Sequence, residues 1–408
     1  MSTSTTPRFL HPFAAPARPA FVEVVRGAGA LLWTADGHEL IDAMASLWYC
    51  NVGHGRGEIA DAVAAQMRSI EAYSCFEPFT NAPADALAER VAALSPVPDA
   101  RVFLCGSGSE SIDTAIKLAR LAQRLSGHPD RTVVVSRERG YHGTNLGGTS
   151  AQGIAPNREG WGPLVPEMVQ VPSDDIEALS VLMSEHGDRI AAVISEPVQG
   201  AGGVFPPADG YLQEVRALCD RHGALMVLDE VITGFGRLGR WFAAEHYGVV
   251  PDMITFAKAV TSGYQQVGGV VIGQAVVGPL ESDPAYLLRH GYTYSGHASS
   301  CAAGLANLDI LEREELLDRA VPMGRRLADG LEAIAADGGI AGVRGVGAVW
   351  AIALRPDQNA VAVRDRMFAD GVITRAIGAD TCTFCPPLVT TDAQIDRIVD
   401  SVAGAVAP

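Results

Sequence analysis

Lysine is almost missing from this chain: of its 31 basic residues only Lys117 and Lys258 are lysines. Arginine carries surface charge as well as lysine does, but a side-chain imine needs a primary amine that a guanidinium cannot supply. Any lysine chemistry therefore falls to one of two positions. Positive charge is scarce overall, with 31 basic against 47 acidic residues and a formal charge of −16. Such a surface repels phosphate backbones and anionic headgroups, which excludes nucleic acid and membranes as expected partners. Long apolar runs are missing too. Gln274 interrupts the richest stretch and Arg344 the next, so none reaches the ~18–20 residues that span a bilayer. The opening MSTSTTPRF lacks an apolar signal core and reads as a polar tail. With no HxxxH pair and no regular acidic cluster, no metal is expected. The seven cysteines lie scattered in apolar segments, the usage expected of reduced thiols in a cytoplasmic enzyme.

What the chain does have is 408 residues, 48% of them hydrophobic, enough for two or three domains with large cores. From Arg101 onward, strand-like apolar runs alternate with helical patterns. The runs are Arg101 to Leu104, Thr132 to Val135, Ile190 to Ile194, Ala224 to Leu228, Met253 to Phe256 and Val267 to Ile272. Helical stretches such as Ser111 to Arg124 and Tyr211 to His222 lie between them, the second stopped by Gly223. This alternation predicts an α/β fold: a mostly parallel central sheet with helices on both faces and ligands at the carboxyl ends of its strands. The two ends of the chain read differently. Phe21 to Ile41 alternates like an antiparallel meander around Ala35-Asp36-Gly37. The C-terminal part reads as a long helical region after Ala302, a strand over Val346 to Leu354, a helix over Val361 to Ala369, a strand over Thr381 to Phe384, and a last helix opening with the capping box Thr391-x-x-Gln394. Both ends are expected to build a smaller α+β domain, residues 1–50 and 306–408, around a large domain of residues 51–305.

Four segments carry possible chemistry. Phe103 to Arg120, FLCGSGSESIDTAIKLAR, reads as strand, Gly/Ser turn and helix. Backbone N–H groups at such a helix start, with the Ser107 and Ser109 hydroxyls, make an anion cradle. The third glycine of a dinucleotide fingerprint and the Lys-Ser/Thr pair of a P-loop are missing, so the turn specifies an anion site and no more. Leu225 to Val231, LMVLDEV, ends an apolar strand on two acids, and strand alternation sends Asp229 and Glu230 to opposite sides. A buried carboxylate there can cap, or can pair with a protonated ring nitrogen. Lys258 follows another strand between Phe256-Ala257 and Ala259-Val260, flanks that desolvate the amine and favour its neutral, nucleophilic form. Lys117 has the spacing of an ordinary amphipathic helix. Tyr141-His142-Gly143 offers an aromatic plate for a planar ligand, or core cover.

In this order the segments CGSGSES, YHG, SEPVQG, VLDEVITGFGR, DMITFAK and TYSGH resemble the class III aminotransferases, pyridoxal-phosphate enzymes of fold type I, over nearly the whole chain from about Phe21. Cys105 stands where asparagine is common in the family's phosphate turn. The resemblance implies pyridoxal 5'-phosphate as cofactor. It implies Lys258 as the lysine that binds the cofactor and shuttles a proton at the substrate carbon, and Asp229 as the partner of the ring nitrogen. Ser107, Gly108 and Ser109 would hold the phosphate, Tyr141 and Val231 would cover the two ring faces, and Glu196 would organise the ring's polar side. Thr293 resembles the threonine that reaches the phosphate of a neighbouring subunit, which implies a homodimer with shared active sites. The family's ornithine and 4-aminobutyrate branches carry a glutamate and a glutamine where this chain has Ala201 and Ile232. The chain looks instead like the ω-amino acid and amine:pyruvate branch, with Trp48 in LW-x-x-N lining the substrate pocket and Arg375 in ITRAIG gripping the carboxylate of a keto-acid acceptor. The expectation is a ping-pong transaminase taking an amino group from an ω-amino acid or primary amine to pyruvate. The pair His11-Pro12 leaves a 7,8-diaminopelargonate-type enzyme as the alternative, and a mutase or decarboxylase on the same fold would keep every cofactor motif.

Overall fold

The computed structural model describes residues 7–407, so most of the polar N-terminal tail lies outside the described residues. The first sheet is built from β1 (Val24–Ala28), β2 (Leu31–Thr34) and β3 (Glu39–Asp42) as an antiparallel meander. The central sheet follows: β4 (Arg101–Cys105), β5 (Val133–Arg137), β6 (Met168–Val171), β7 (Ile190–Ser195), β8 (Leu225–Asp229), β9 (Met253–Phe256) and β10 (Gly268–Ile272). The C-terminal region adds β11 (Gly342–Val346), β12 (Val349–Ala353), β13 (Val372–Ile373), β14 (Arg375–Ile377) and β15 (Thr381–Phe384).

The seven central strands lie in the order β4-β10-β9-β8-β7-β5-β6. All pairs from β9 to β6 are parallel, and only β10 is antiparallel to both of its neighbours. Continuous apolar runs such as Ile190–Ile194 and Leu225–Leu228 are buried along their whole length, because helices cover both faces of the sheet. The strands β4, β5, β7, β8 and β9 run in one direction, so their carboxyl ends open onto a single edge. The reversed β10 begins at that edge, where Gly268 pairs with Cys105. A Cβ on Gly268 would stand 2.7 Å from the Ser107 carbonyl oxygen, so this glycine lets the turn after β4 close down on the sheet.

Local signals explain the helix boundaries. Helix Gly108–Leu125 starts earlier than its apolar periodicity suggests, because Ser107 accepts from the Glu110 N–H at 3.2 Å and caps it. Helix Tyr211–His222 ends at Gly223 in the left-handed region, φ 67°. Helix Asp392–Val406 opens with the capping box between Thr391 and Gln394, both halves of which are formed. Four strand assignments change. The single strand expected over Val346 to Leu354 is a hairpin of β11 and β12. It turns at Gly347, φ 56°, where any Cβ would come within 2.4 Å of the Arg237 carbonyl oxygen. The edge strand β6 and the short strands β13 and β14 were not expected. β13 joins the N-terminal sheet in parallel with β3, Val372 opposite Ile41, so the two chain ends interleave. No helix among the described residues is long and apolar enough to cross a membrane.

Candidate active site

The site is assembled from the exits of the co-directional strands. After β4, Ser107 accepts from Glu110, which leaves the first N–H groups of the helix, those of Gly108 and Ser109, for an anion. A Cβ on Gly108 would lie 2.8 Å from Val231 Cγ1, so only glycine brings this turn against the exit of β8. Ser109 Oγ accepts from the Thr144 N–H at 3.0 Å and stitches the turn to the segment after β5. Gly143, at φ 94°, would drive a Cβ to 2.6 Å from the same oxygen.

The adjacent acids at the end of β8 part as strand geometry requires. Asp229 accepts from Thr255 Oγ1 at 3.1 Å and the Val231 N–H at 3.2 Å, and His142 Nδ1 lies 2.8 Å from its other oxygen. A carboxylate only accepts, so Nδ1 donates. Glu230 turns away to accept from the N–H groups of Ala243 and Ala244 and from the Thr233 hydroxyl, and burial pushes its carboxyl up to about 7. Glu196, after β7, accepts from the N–H groups of Tyr141 at 2.8 Å and Gly200 at 3.0 Å. Burial raises its carboxyl to about 7 as well, against the pull of His142. Its carbonyl accepts from the fully buried Arg137, which also donates to the Ser173 carbonyl and lies over the Tyr211 ring.

Lys258 follows β9 with φ 49°, a left-handed conformation that costs a non-glycine residue about 1–3 kcal/mol and needs support from its surroundings. Asn307 gives part of it, donating to the carbonyls of Ala259 and Val260 at 2.9 and 3.0 Å. Burial lowers the Lys258 amine to about 8, opposed by the nearby charges of Asp229 and Glu196 and assisted by Arg375.

Ser107, Gly108, Ser109, Tyr141, Glu196, Asp229, Val231 and Lys258 line one cavity of about 200 Å³. Three other expected site residues lie outside its wall. Trp48 is buried in an apolar cluster with Met44, Val198 and Ile232, and Leu47 takes the place on the cavity wall. Ala45, Ser46 and Trp48 all have positive φ, so this short kinked segment sends neighbouring side chains in directions that neither helical nor strand periodicity describes. Thr293 is exposed and borders a separate cleft of about 930 Å³ that shares Ser107. Arg375 opens β14, opposite Thr383 of β15. Its half-buried guanidinium donates no hydrogen bond and forms no ion pair among the described residues, while its charge bears on both Tyr141 and Lys258. Burial lowers its own pKa. Lys117 lies away from the cavity, donating to His290 Nδ1 at 2.9 Å. The residues sequence reasoning passed over are His142 and Thr255, which fix Asp229, and Arg137. His142 stood inside a motif read for its tyrosine; Thr255 and Arg137 gave no separable signal.

The cofactor that the motifs imply fits this donor set. Unpaired helix-start N–H groups and two serine hydroxyls suit a phosphate, a carboxylate held by three donors suits a protonated ring nitrogen, and a desolvated amine suits a carbonyl. Among the described residues no group of His, Cys, Asp or Glu could hold a metal.

Comparison with known proteins agrees with the geometry. Residues 13–406 match the sequence model of the class-III aminotransferases. The chain is 36% identical to the beta-alanine–pyruvate aminotransferase of Pseudomonas aeruginosa over 94% of its own length and 91% of the relative's. It superposes on a transaminase from the marine bacterium Virgibacillus with a TM-score of 0.95 at 35% identity, covering 98% of this chain and 96% of the other. An amine transaminase from an uncultivated Pseudomonas species, solved with pyridoxal phosphate bound, gives a TM-score of 0.92 at 33% identity, covering 99% of both chains. With its sequence matched almost end to end and its strand exits converging on one lysine, the chain belongs to the class-III aminotransferases, pyridoxal-phosphate-dependent enzymes of fold type I.

Proposed function

We propose that this aminotransferase takes its amino group from a primary amine or ω-amino acid and delivers it to pyruvate by a ping-pong mechanism. A donor R–CH₂–NH₂ leaves as the aldehyde R–CHO, and pyruvate leaves as alanine, so nitrogen, oxygen and hydrogen balance across the two halves. The observation that carries the reading is the half-buried Arg375, unpaired among the described residues, a cation whose charge reaches Tyr141 and Lys258. A planar guanidinium without a protein partner suits the carboxylate of a keto acid, which it can hold through two charge-assisted hydrogen bonds. Ile232 and Ala201, in place of the gate residues of the ornithine and 4-aminobutyrate branches, support the same branch. So does the activity that names the P. aeruginosa relative.

When bound, the cofactor supplies a carbonyl that exchanges the amino group and a ring that draws electrons from the substrate carbon. Ser107, Gly108 and Ser109 hold its phosphate. Asp229, kept in one orientation by Thr255 and His142, presents negative charge to the ring nitrogen. Tyr141 and Val231 bound the slot for the ring, and Glu196 fixes the backbone of Tyr141. Lys258, its amine lowered toward neutrality, holds the cofactor and moves the proton at the substrate carbon.

We further read the chain as a homodimer in which Thr293 serves the neighbouring subunit's phosphate; its exposure, outside the wall of its own Lys258 cavity, supports this. Mixing Lys258→Ala with Thr293→Ala subunits should then restore one working site per heterodimer, and no recovery would count against it. Residues 1–50 with 306–408 would form the small domain, a division supported by the β3–β13 pairing. Seven free thiols suit a cytoplasmic location.

The experiment is a half-reaction. A primary amine should convert the bound cofactor stoichiometrically to its amine form with release of the aldehyde, and pyruvate should reverse the spectrum. Release of CO₂, or a rearranged amine with no carbonyl product, would replace this reading with a decarboxylase or mutase.

A further inference from the structure

Asp42 lies outside the wall of the Lys258 cavity, fully buried at the end of β3. Its backbone is fixed: the N–H donates to the Ala30 carbonyl at 2.8 Å, and Ile373 of β13 pairs opposite. Its carboxylate gathers three donors. Oδ1 accepts from the Met44 N–H at 3.0 Å, and Oδ2 accepts from the Ser46 N–H at 2.6 Å and from His54 Nε2 at 2.8 Å. His54 is anchored in turn, because its backbone exchanges hydrogen bonds of 2.8 and 2.9 Å with Gly29. Cys50 Sγ lies 3.5 Å from His54 Nδ1, which gives cysteine, histidine and aspartate the order of an activated nucleophile. Cys50 is only 1% exposed, however, and burial pushes its thiol up to about 12, so it stays protonated and serves as a donor.

The carboxylate holds the segment that forms one side of the cavity. Ala45, Ser46 and Trp48 have φ of 45°, 60° and 69°, a left-handed run that non-glycine residues keep only where their surroundings impose it. Asp42 binds this run just before its start, at Met44, and in its middle, at Ser46. On the far side, packing takes over. A Cβ on Gly200 would come within 3.1 Å of the Trp48 indole, and one on Gly263 within 2.4 Å of the Tyr49 ring. Between the two anchors Leu47 projects onto the cavity wall and stays 46% exposed. Released from Asp42, the run would relax toward ordinary φ and draw Leu47 back. A cavity of about 200 Å³ leaves little room beside a cofactor, so the place of one leucine decides which substituent fits.

We propose that Asp42 is a positioning residue for donor specificity: by holding the strained segment through Met44 and Ser46, it keeps Leu47 on the wall and disfavours amines with bulk on the reacting carbon. The proposal rests on the primary-amine reading above and sets the size of donor that the same site takes. His54, the third donor to the carboxylate, keeps Asp42 in the orientation that binds the segment.

The test uses the holoenzyme without acceptor and reads single-turnover conversion of the bound cofactor to its amine form with propylamine and cyclohexylamine. The quantity compared is the ratio of the two second-order rates, which a general loss of folding or of cofactor leaves unmoved. The wild type should favour propylamine. Asp42→Asn should raise the cyclohexylamine-to-propylamine ratio roughly 10-fold, the scale of a small change of shape in an apolar pocket. Leu47→Ala should raise it by a similar factor. The double variant should stay within about 2-fold of Leu47→Ala alone, because Asp42 acts through that side chain. His54→Leu, which leaves both backbone contacts of Asp42 in place, should raise the ratio about 3-fold, and it carries the test if Asp42→Asn does not fold. A ratio unchanged in Asp42→Asn and His54→Leu, or gains that multiply in the double variant, overturns the assignment of Asp42 and leaves the transaminase reading standing. Failure of the wild type to convert its cofactor with either amine overturns that reading and the proposal with it.

Discussion

The carboxyl edge of the central sheet and the short C-terminal strand β14 both send functional groups toward Lys258, and they differ in how those groups are held. At the sheet edge the carboxylates are tied down: Asp229 by Thr255, Val231 and His142, Glu196 by two backbone N–H groups. Donors that already point the right way need no reorganisation during the reaction, which is where electrostatic catalysis gains most. On β14, Arg375 has no such partner among the described residues. Its charge is partly desolvated and uncommitted, the state that favours a ligand carboxylate arriving in one half of the cycle and leaving in the other. The preorganised edge suits chemistry common to both half-reactions; the uncommitted arginine suits a contact made in only one.

The largest effect is expected at Lys258. Lys258→Ala should abolish turnover and covalent cofactor attachment, and borohydride treatment of the wild type should fix the cofactor to Lys258 alone, read by peptide mass. Label on Lys117 would move the site. Next in size, Asp229→Asn should bind cofactor yet transaminate at least ~100-fold more slowly, from the ~2.7–4 kcal/mol typical of one preorganised contact to developing charge. Near-normal turnover would mean that Asp229 serves only to anchor His142 and Thr255. The smallest effect is on stability. Because folding lowers the Lys258 amine from 10.5 to about 8, the folded apoprotein carries the full cost of the buried charge below about 8. It loses that cost as pH rises toward 10.5, where the unfolded chain also gives up its proton. Lys258→Met, which has no charge to bury, should stabilise the apoprotein by about 1–2 kcal/mol at pH 7, with the gain fading toward pH 10.5 in denaturant titrations. A gain independent of pH would contradict burial of the ammonium charge as its cause.

Much of the sheet edge was legible in the sequence because each functional residue there follows an apolar, β-branched run, and a run that stops at a polar residue marks a strand exit. The short pieces were not legible. β6, MVQV, is four residues on an edge, and β14 is three residues whose place depends on pairing with β15. The hairpin β11–β12 was hidden because Val346-Gly347-Ala348-Val349 contains no polar break, only a glycine whose positive φ shows itself in the fold. His142 could not be tied to Asp229 from sequence, since 87 residues separate them and the contact depends on strand order. The exchange of Trp48 for Leu47 at the cavity wall has the same origin: a kinked segment follows neither period.

The contrast between tied and uncommitted charge is decided by measuring both half-reactions by single turnover in two variants, Asp229→Asn and Arg375→Ala. Asp229→Asn should slow the amine half and the pyruvate half alike. Arg375→Ala should lower kcat/KM for pyruvate ~10- to 1,000-fold, the scale of hydrogen bonds to a charged group, and leave reduction of the cofactor by a neutral monoamine nearly unchanged. Equal losses in both halves for Arg375→Ala would make that arginine part of the scaffold, and no loss in either would place the acceptor's carboxylate elsewhere.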